Sequence, residues 1–215
     1  MKRIGILGGA FDPVTLAHID IALAVLNRGL CDIIWLMPCY SHSFDKKMSS
    51  PKDRLKMCEI AIEESKNRHY GRIIPSYYEI DRKLPGQTYF FVKSLLSNKI
   101  SFSVSMIVGQ DNADNFDKWY KFQELQKMIP FIVIPRGTIK ADPDQWYMKP
   151  PHHFVKNVPP MVCSSTLIRE VLKIQKPMEF PVYLKNFLSR SVFEYIKGKG
   201  LYGYDNVLIN FSKSL

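Results

Sequence analysis

A glycine-rich segment near the start of the chain, GGAFDPVTLAH at residues 8–18, constrains the fold more than any other. It follows the compact apolar run 3–8 and leads into residues 17–27, where apolar residues recur at helical spacing. Two glycines let the backbone approach a ligand closely, and a helix start presents unpaired N–H groups and a positive dipole end. The segment therefore predicts a strand, a phosphate-binding loop and a helix, with Thr15 and His18 able to donate to phosphate oxygens.

Strand-like and helix-like segments alternate along the rest of the chain. Apolar runs predict further strands at residues 31–38, 72–80, 102–108 and 131–134. Helical spacing predicts further helices from Pro51 and at residues 89–96, 119–128, 166–174 and 192–197. This alternation predicts an α/β fold, a doubly wound (Rossmann-like) parallel sheet with helices on both faces, which binds ligands at the carboxyl ends of its strands.

A chain of 215 residues favours one domain. We expect that domain at residues 1–203, with a small helical C-terminal part from about residue 164 and a tail at residues 204–215. Residues 136–160 are rich in Pro, His, Lys and Trp and have no clean period. They predict a long irregular excursion whose role the sequence leaves open.

Composition narrows the class of protein. Hydrophobic residues make up 46% and charged residues 23%, as in globular proteins, and no apolar run approaches the 20 or so residues of a membrane helix. The first residues lack the features of a signal peptide, and the four cysteines are scattered, so we expect a cytoplasmic protein with reduced thiols and no zinc site. The net charge of +10 favours anionic partners. Without a dense Lys/Arg block, phosphorylated small molecules are favoured over nucleic acid.

Residues 8–18 taken as a whole are more specific than their glycines. Two glycines alone could merely close a tight turn, and His18 alone could be a surface residue. The segment has neither the G-x-G-x-x-G of dinucleotide-binding folds nor the Gly-Lys-Ser/Thr of P-loops. It resembles the G-x-F-D-P-x-[HT]-x-G-H signature of the nucleotidylyltransferase superfamily.

A second motif lies at residues 163–169, Cys-Ser-Ser-Thr-Leu-Ile-Arg, directly before an apolar-periodic helix. Hydroxyl groups at a helix start can simply cap it, with Arg169 facing solvent. The same N–H groups together with Arg169 can also bind phosphate. The segment resembles the [IV]-S-S-T-x-x-R motif of the same superfamily, in the expected order along the chain.

Weaker features over most of the chain are similar to one branch, the nicotinate and nicotinamide mononucleotide adenylyltransferases. Singly, each could be a solvated charge, a cap or a core residue; together they favour that branch. They are Lys46 and Lys47 with the following Arg54, Leu55 and Met57; Glu79 with Gln87, Thr88 and Tyr89; Gly109, Asp111 and Trp119; and the closing Val192, Tyr195, Ile196, Leu201 and Tyr202. The family's usual Arg-Pro-Gly departs from its pattern here and appears as Pro135, Arg136 and Gly137.

Two positions depart from the superfamily signature. Its H-x-G-H appears here as Thr15, Leu16, Ala17 and His18. Threonine at the first position occurs in other branches, notably the phosphopantetheine adenylyltransferases. The effect of Ala17, which adds a methyl group where backbone approach could matter, is left open.

The resemblance implies transfer of the adenylyl group of ATP to nicotinate mononucleotide, nicotinamide mononucleotide or both. The products are deamido-NAD or NAD, with pyrophosphate, in NAD biosynthesis. It implies Mg²⁺ arriving with ATP and no protein-borne metal site; Asp12 is a weak candidate ligand. Catalytic roles fall to His18, Thr15 and Arg169. Implied ATP contacts are Gly8, Gly9, Ala10, Phe11, Thr15, His18, Gly109, Asp111, Ser164, Ser165, Thr166 and Arg169. Implied acceptor contacts are Lys46, Lys47, Thr88, Tyr89, Trp119 and Arg136.

Alternatives remain at this point. Another transferase of the superfamily would act on phosphopantetheine or glycerol phosphate, and a non-catalytic module would bind nucleotide only. The choice between nicotinate and nicotinamide is open, although the +10 charge weakly favours the acid. A homo-oligomer is also left open.

Overall fold

The computed structural model describes residues 1–41, 47–135, 142–156, 158 and 164–204. The predicted site residues Lys46 and Arg136 lie outside these ranges, as does all but the first residue of the predicted tail. That residue, Tyr204, is buried, so packing against the domain extends at least this far.

The described residues form a six-stranded sheet in the order β3-β2-β1-β4-β5-β6, and each adjacent pair is parallel. The doubly wound prediction is confirmed. Strand order reverses between the neighbours β1 and β4, which is where open parallel sheets bind ligands. The strands are β1 (Arg3–Gly9), β2 (Ile33–Pro38), β3 (Ile73–Pro75), β4 (Ser103–Gly109), β5 (Phe131–Ile134) and β6 (His153–Phe154).

Side chains of the central strands alternate between two hydrophobic cores, because successive residues of a strand point to opposite faces. On β5, Phe131 and Val133 enter one core, while Ile132 and Ile134 enter the other. Helices cover both faces, as predicted. They are α1 (Leu16–Asn27), α2 (Pro51–Glu64), α3 (Lys66–His69), α4 (Tyr78–Asp81), α5 (Thr88–Leu96), α6 (Gln110–Ala113), α7 (Phe122–Met128), α8 (Ser165–Gln175) and α9 (Arg190–Gly198).

Serine hydroxyls cap the N-termini of several of these helices. Ser50, Ser164 and Ser189 each accept the backbone N–H three residues later, and Pro51 follows the first of them at a position that proline favours. The C-terminal helices α8 and α9 share a core with α1 and α2, through apolar residues such as Leu172. This arrangement brings the chain's second motif back onto the face that carries its first.

Two local predictions were wrong, and one short strand was missed. The strand expected at residues 72–80 stops at Pro75, and Tyr78–Asp81 is a helical turn. The helix expected from Trp119 begins at Phe122, because Lys121 takes a left-handed conformation (φ 52°) that interrupts it. Within the excursion, residues 142–156 contain a 3₁₀ turn (Trp146–Met148) and β6, which two backbone partners join to the edge of β5. Such short elements carry no periodic signal.

Among the described helices, none has the length and apolar character needed to cross a membrane.

Candidate active site

A cavity of about 510 Å³ opens at the carboxyl ends of β1 and β4, where strand order reverses. This is the size and position expected for a small-molecule site. It contains many of the predicted site residues: Gly8, Gly9, Ala10, Thr15, His18, Thr88, Gly109, Asp111 and Trp119. A Cβ on Gly109 would lie 2.5 Å from Oδ1 of Asp111, so a larger residue here would require the Asp111 side chain to move.

The loop between β1 and α1 forms one wall of the cavity. Phe11 takes a left-handed conformation (φ 49°), and its buried ring packs edge-on against the His18 imidazole, with ring centroids 4.8 Å apart. Phe11 therefore supports His18 from behind, while Gly8, Gly9 and Ala10 face the cavity. Of the four loop residues predicted to contact ATP, Gly8, Gly9 and Ala10 line the cavity and Phe11 does not.

His18 and Thr15 form a reciprocal cap at the start of α1. The backbone N–H of Thr15 donates to Nδ1 of His18 at 2.9 Å, and the Thr15 hydroxyl lies 2.9 Å from the same nitrogen. Because Nδ1 accepts a hydrogen bond, the proton of the neutral imidazole lies on Nε2. Thr15 is buried, so its hydroxyl orients His18.

The second motif contacts the first motif's loop, and none of its described residues is part of the cavity lining. The Arg169 guanidinium donates to the Asp12 carbonyl at 2.6 Å and to the Thr166 hydroxyl at 3.2 Å. The Ser165 hydroxyl donates to the Pro13 carbonyl at 2.8 Å. Ser164 caps α8 by accepting Leu167 N–H at 3.2 Å. The two motifs are thus in direct contact, while a phosphate contact by the second motif stays a prediction.

Only some of the residues predicted to contact the acceptor line the cavity. Thr88 and Trp119 line the cavity, but Lys47 is exposed and lies outside its lining. Tyr89 is buried away from it: its hydroxyl donates to Glu124 at 2.9 Å, and its ring packs edge-on against Tyr120, 5.6 Å away. Tyr89 therefore supports the segment carrying Trp119 and does not line the cavity. Lys46 and Arg136 lie outside the described residues.

Sequence reasoning did not assign a role to Arg54, which is fully buried beneath the loops. Its guanidinium donates to the carbonyls of Ala10 (2.8 Å), Cys39 (2.6 Å), Tyr40 (3.2 Å) and Ser49 (3.0 Å). It joins the loop between β1 and α1 to the loop after β2. The Pro-Lys-Asp-Arg start of α2 resembles an ordinary charged helix face, so only the family pattern marked this arginine.

Glu79 was noted in the sequence but given no role, and it is a buried carboxyl group in the cavity lining. Burial raises its pKa to about 7, opposed by a hydrogen bond from Tyr40 N–H and by the charge of Arg54. A carboxyl group with such a pKa is partly protonated near neutral pH, so the wall it forms changes charge there. No sequence signal reveals this burial.

The family described as Cytidylyltransferase-like matches residues 6–171, which include both motifs. The chain belongs to this family of nucleotidyltransferases. Within it, the predicted resemblance to the nicotinate and nicotinamide mononucleotide adenylyltransferases is confirmed by relatives that match nearly the whole chain.

Two of these relatives are bacterial. The "Probable nicotinate-nucleotide adenylyltransferase" of Staphylococcus haemolyticus is 30% identical over 204 residues, covering 94% of this chain and 97% of its own. The protein of the same name in Streptococcus pneumoniae serotype 4 is 34% identical over 206 residues, covering 94% and 89%. Among solved structures, Plasmodium falciparum nicotinic acid mononucleotide adenylyltransferase complexed with NaAD has the same fold, with a TM-score of 0.82. Its identity is 24%, and the match covers 95% of this chain and 99% of that one.

Proposed function

We propose that this chain transfers the adenylyl group of ATP to nicotinate mononucleotide, giving deamido-NAD and pyrophosphate in NAD biosynthesis. Nicotinate-nucleotide adenylyltransferase activity is the function on which the family, the bacterial relatives and the cavity agree. The observation that carries it is one cavity at the strand-order reversal that holds Gly8, Gly9, His18 and Trp119 together.

The reaction needs no protein nucleophile. The 5′-phosphate of the acceptor attacks the α-phosphorus of ATP in line, a P–O bond forms, and the bond to pyrophosphate breaks. Transfer of this kind depends on positioning and on neutralising charge, and holding the two reactants together can supply an effective molarity of about 10⁵ M or more. The site residues are therefore proposed to act as binders.

His18 is proposed to stabilise the charge that develops on the phosphates. Its Nδ1 is engaged by Thr15, so the ring is held in one orientation with the proton on Nε2. A pre-oriented N–H donor aimed at the transferring phosphate needs no reorganisation during the reaction. The glycines of the loop are proposed to bring backbone near the α-phosphate, and Arg169, with Ser165 and Thr166, to bind the β- and γ-phosphates.

Mg²⁺ is proposed to enter with ATP, held by phosphate oxygens and water, as this ion prefers. Over the described ranges, no three His, Cys, Asp or Glu side chains cluster in a way that could hold a metal. Asp12, the weak candidate, is only 1% exposed, and its Oδ1 accepts hydrogen bonds from Tyr202 and Ser49. Asp12 therefore does not fit the role of ligand, and no step of the mechanism is assigned to the ion.

On the acceptor side, the indole of Trp119, which lines the cavity, is proposed to stack on the pyridine ring, with Thr88 beside it. Lys118 also lines the cavity. A cationic group next to Trp119 favours nicotinate mononucleotide, an acid, over nicotinamide mononucleotide, an amide. Cytoplasmic location and a homo-oligomeric state stay predictions.

The test is pyrophosphate release from Mg·ATP with nicotinate mononucleotide and with nicotinamide mononucleotide. We expect release with both or with the acid alone, and higher kcat/KM for the acid. Phosphopantetheine and glycerol 3-phosphate with CTP serve as controls for the other transferases of the superfamily. Release only with one of these controls, or ATP binding without release for any acceptor, would overturn the proposal.

A further inference from the structure

The 3₁₀ turn Leu201–Gly203 lies against the phosphate-binding loop of the first motif. The Tyr202 hydroxyl donates to Oδ1 of Asp12 at 2.6 Å, across 190 residues of sequence. We propose that Tyr202 is a positioning residue for adenylyl transfer, which acts through Asp12 to hold the phosphate-binding loop in its working shape. The proposal rests on the function proposed above and extends it to the C-terminal part.

Asp12 is the point at which the loop is fixed. Its side chain is buried, and Oδ1 accepts both the Tyr202 hydroxyl and, at 3.3 Å, the backbone N–H of Ser49. Its carbonyl accepts Arg169 at 2.6 Å. A buried carboxylate requires hydrogen bonds. Removing one donor therefore leaves Asp12, which is part of the loop, with a partly unsatisfied oxygen.

Neighbouring residues of the loop are also held by the C-terminal part. Ser165 donates to the Pro13 carbonyl at 2.8 Å, and the backbone N–H of Leu16 donates to the Phe187 carbonyl at 2.9 Å. A loop between a strand and a helix must find partners for its backbone groups elsewhere. Residues 165–202 supply several of them, besides those from Cys39 and Arg54, so the conformation of the loop depends in part on the packing of α8, α9 and the 3₁₀ turn Leu201–Gly203.

The backbone conformation of Tyr202 is one that tyrosine adopts at a cost, which indicates that this position requires the tyrosine side chain. Tyr202 takes a left-handed conformation (φ 57°), between Gly200 (φ 64°) and Gly203 (φ 89°). Glycine adopts this conformation without steric cost, whereas a tyrosine does not. The ring packs beside one hydrophobic core, and the hydroxyl reaches Asp12. Burial, and then the nearby charge of Asp12, raise the pKa of Tyr202, so the hydroxyl remains a donor near neutral pH.

Tyr204, two residues on, offers a matched control. Tyr204 is buried and Tyr202 half-buried, and the Tyr204 hydroxyl donates to the Pro177 carbonyl at 2.9 Å, outside the phosphate-binding loop. Replacing either tyrosine by phenylalanine removes one hydrogen-bonded hydroxyl and keeps the ring. A purely structural role predicts the same result for both variants, whereas a positioning role predicts a difference in ATP kinetics.

The experiment compares the full-length protein with Tyr202→Phe, Asp12→Asn, the double variant and Tyr204→Phe. The measurements are Tm and steady-state kinetics with ATP and nicotinate mononucleotide. We expect Tyr202→Phe to lower kcat/KM for ATP about tenfold, the size of a lost hydrogen bond to a charged group. The KM for the acceptor should stay within about twofold, and Tyr204→Phe should match wild type in kinetics, with a Tm loss similar to that of Tyr202→Phe. The double variant should lose no more activity than Asp12→Asn alone.

Three results would overturn the proposal: unchanged ATP kinetics in Tyr202→Phe, equal kinetic losses in both tyrosine variants, or losses that multiply in the double variant. If the wild-type protein releases no pyrophosphate with any acceptor, the proposed function fails separately. The affinity for α,β-methylene-ATP, measured by calorimetry, then decides the positioning role. A weaker affinity in Tyr202→Phe than in Tyr204→Phe supports it, and equal affinities refute it.

Discussion

The backbone N–H of Thr15 donates to Nδ1 of His18 at 2.9 Å, so the residue before α1 fixes an imidazole that lines the cavity. The Thr15 hydroxyl is equally close to the same nitrogen. The threonine that replaces the first histidine of the superfamily signature is thereby explained without a direct phosphate contact. It is buried, and it holds the second histidine in one tautomer.

Replacing His18 by alanine should lower kcat by about 10²- to 10³-fold, the usual loss when one pre-oriented donor to a developing charge is removed. The fold should persist, because His18 is only half-buried and Thr15 can still cap α1 through its carbonyl. The check is steady-state pyrophosphate release, with Tm measured alongside. His153→Ala, an exposed histidine on β6, is the control and should behave as wild type. Turnover of His18→Ala within fivefold of wild type would contradict the assignment.

Arg54→Met should destabilise the protein strongly, by about 3 kcal/mol or more, because four carbonyl groups under the cavity lose their donor. The measurement is urea unfolding. Arg54→Lys should recover part of the loss, since an ammonium group can reach some of the carbonyls but not all four.

Arg68 provides the comparison for this effect. Its guanidinium pairs with Asp20 at 2.6 Å, but its side chain is 53% exposed. Arg68→Met should therefore cost less than about 1 kcal/mol. Equal losses for the Arg54 and Arg68 variants would show that burial at Arg54 does not matter.

Sequence patterns correctly predicted those strands and helices that have a long run of apolar or periodic residues. The sequence from Arg3 to Asn27 predicted β1 and α1 within one residue at each end. Both motifs are in contact, because α8 packs in the same core as α1.

What the sequence could not supply was the direction in which individual side chains point. Tyr89 lies in an apolar helix start, where either face suits a tyrosine, and its contact with Glu124 depends on how α5 packs on α7. Arg54 and Glu79 look like surface charges until distant loops close over them. β6 has two residues, too few for any periodicity. These features are fixed by long-range packing, which a single sequence does not display.

Glu79 should make stability depend on pH. Its folded pKa of about 7 exceeds its ordinary value of 4.5, so the folded state holds the proton more tightly than the unfolded state. The stabilisation is complete below about pH 4.5 and is lost as pH rises through 7. The difference between the two pKa values corresponds to a change in unfolding free energy of about 3 kcal/mol. Glu79→Gln should lack this dependence.

The measurement is the difference in unfolding free energy between wild type and Glu79→Gln, from urea titrations at intervals between pH 4.5 and 8. That difference should move in favour of the glutamine variant across this window. Glu63→Gln, at an exposed carboxylate on α2, serves as the control and should show no such trend. A constant difference for Glu79→Gln would mean that the carboxyl group is solvated in solution.

Trp119→Ala should separate acceptor binding from ATP binding. Trp119 lines the cavity and packs against Phe116, with ring centroids 5.2 Å apart, so its indole is held in place from one side. Loss of a stacking surface for the pyridine ring should raise the KM for nicotinate mononucleotide by about tenfold, while the KM for ATP changes less than about twofold. Trp119→Phe keeps an aromatic face and should recover most of the loss. If both substrates weaken equally in Trp119→Ala, the indole shapes the whole cavity and does not select the acceptor.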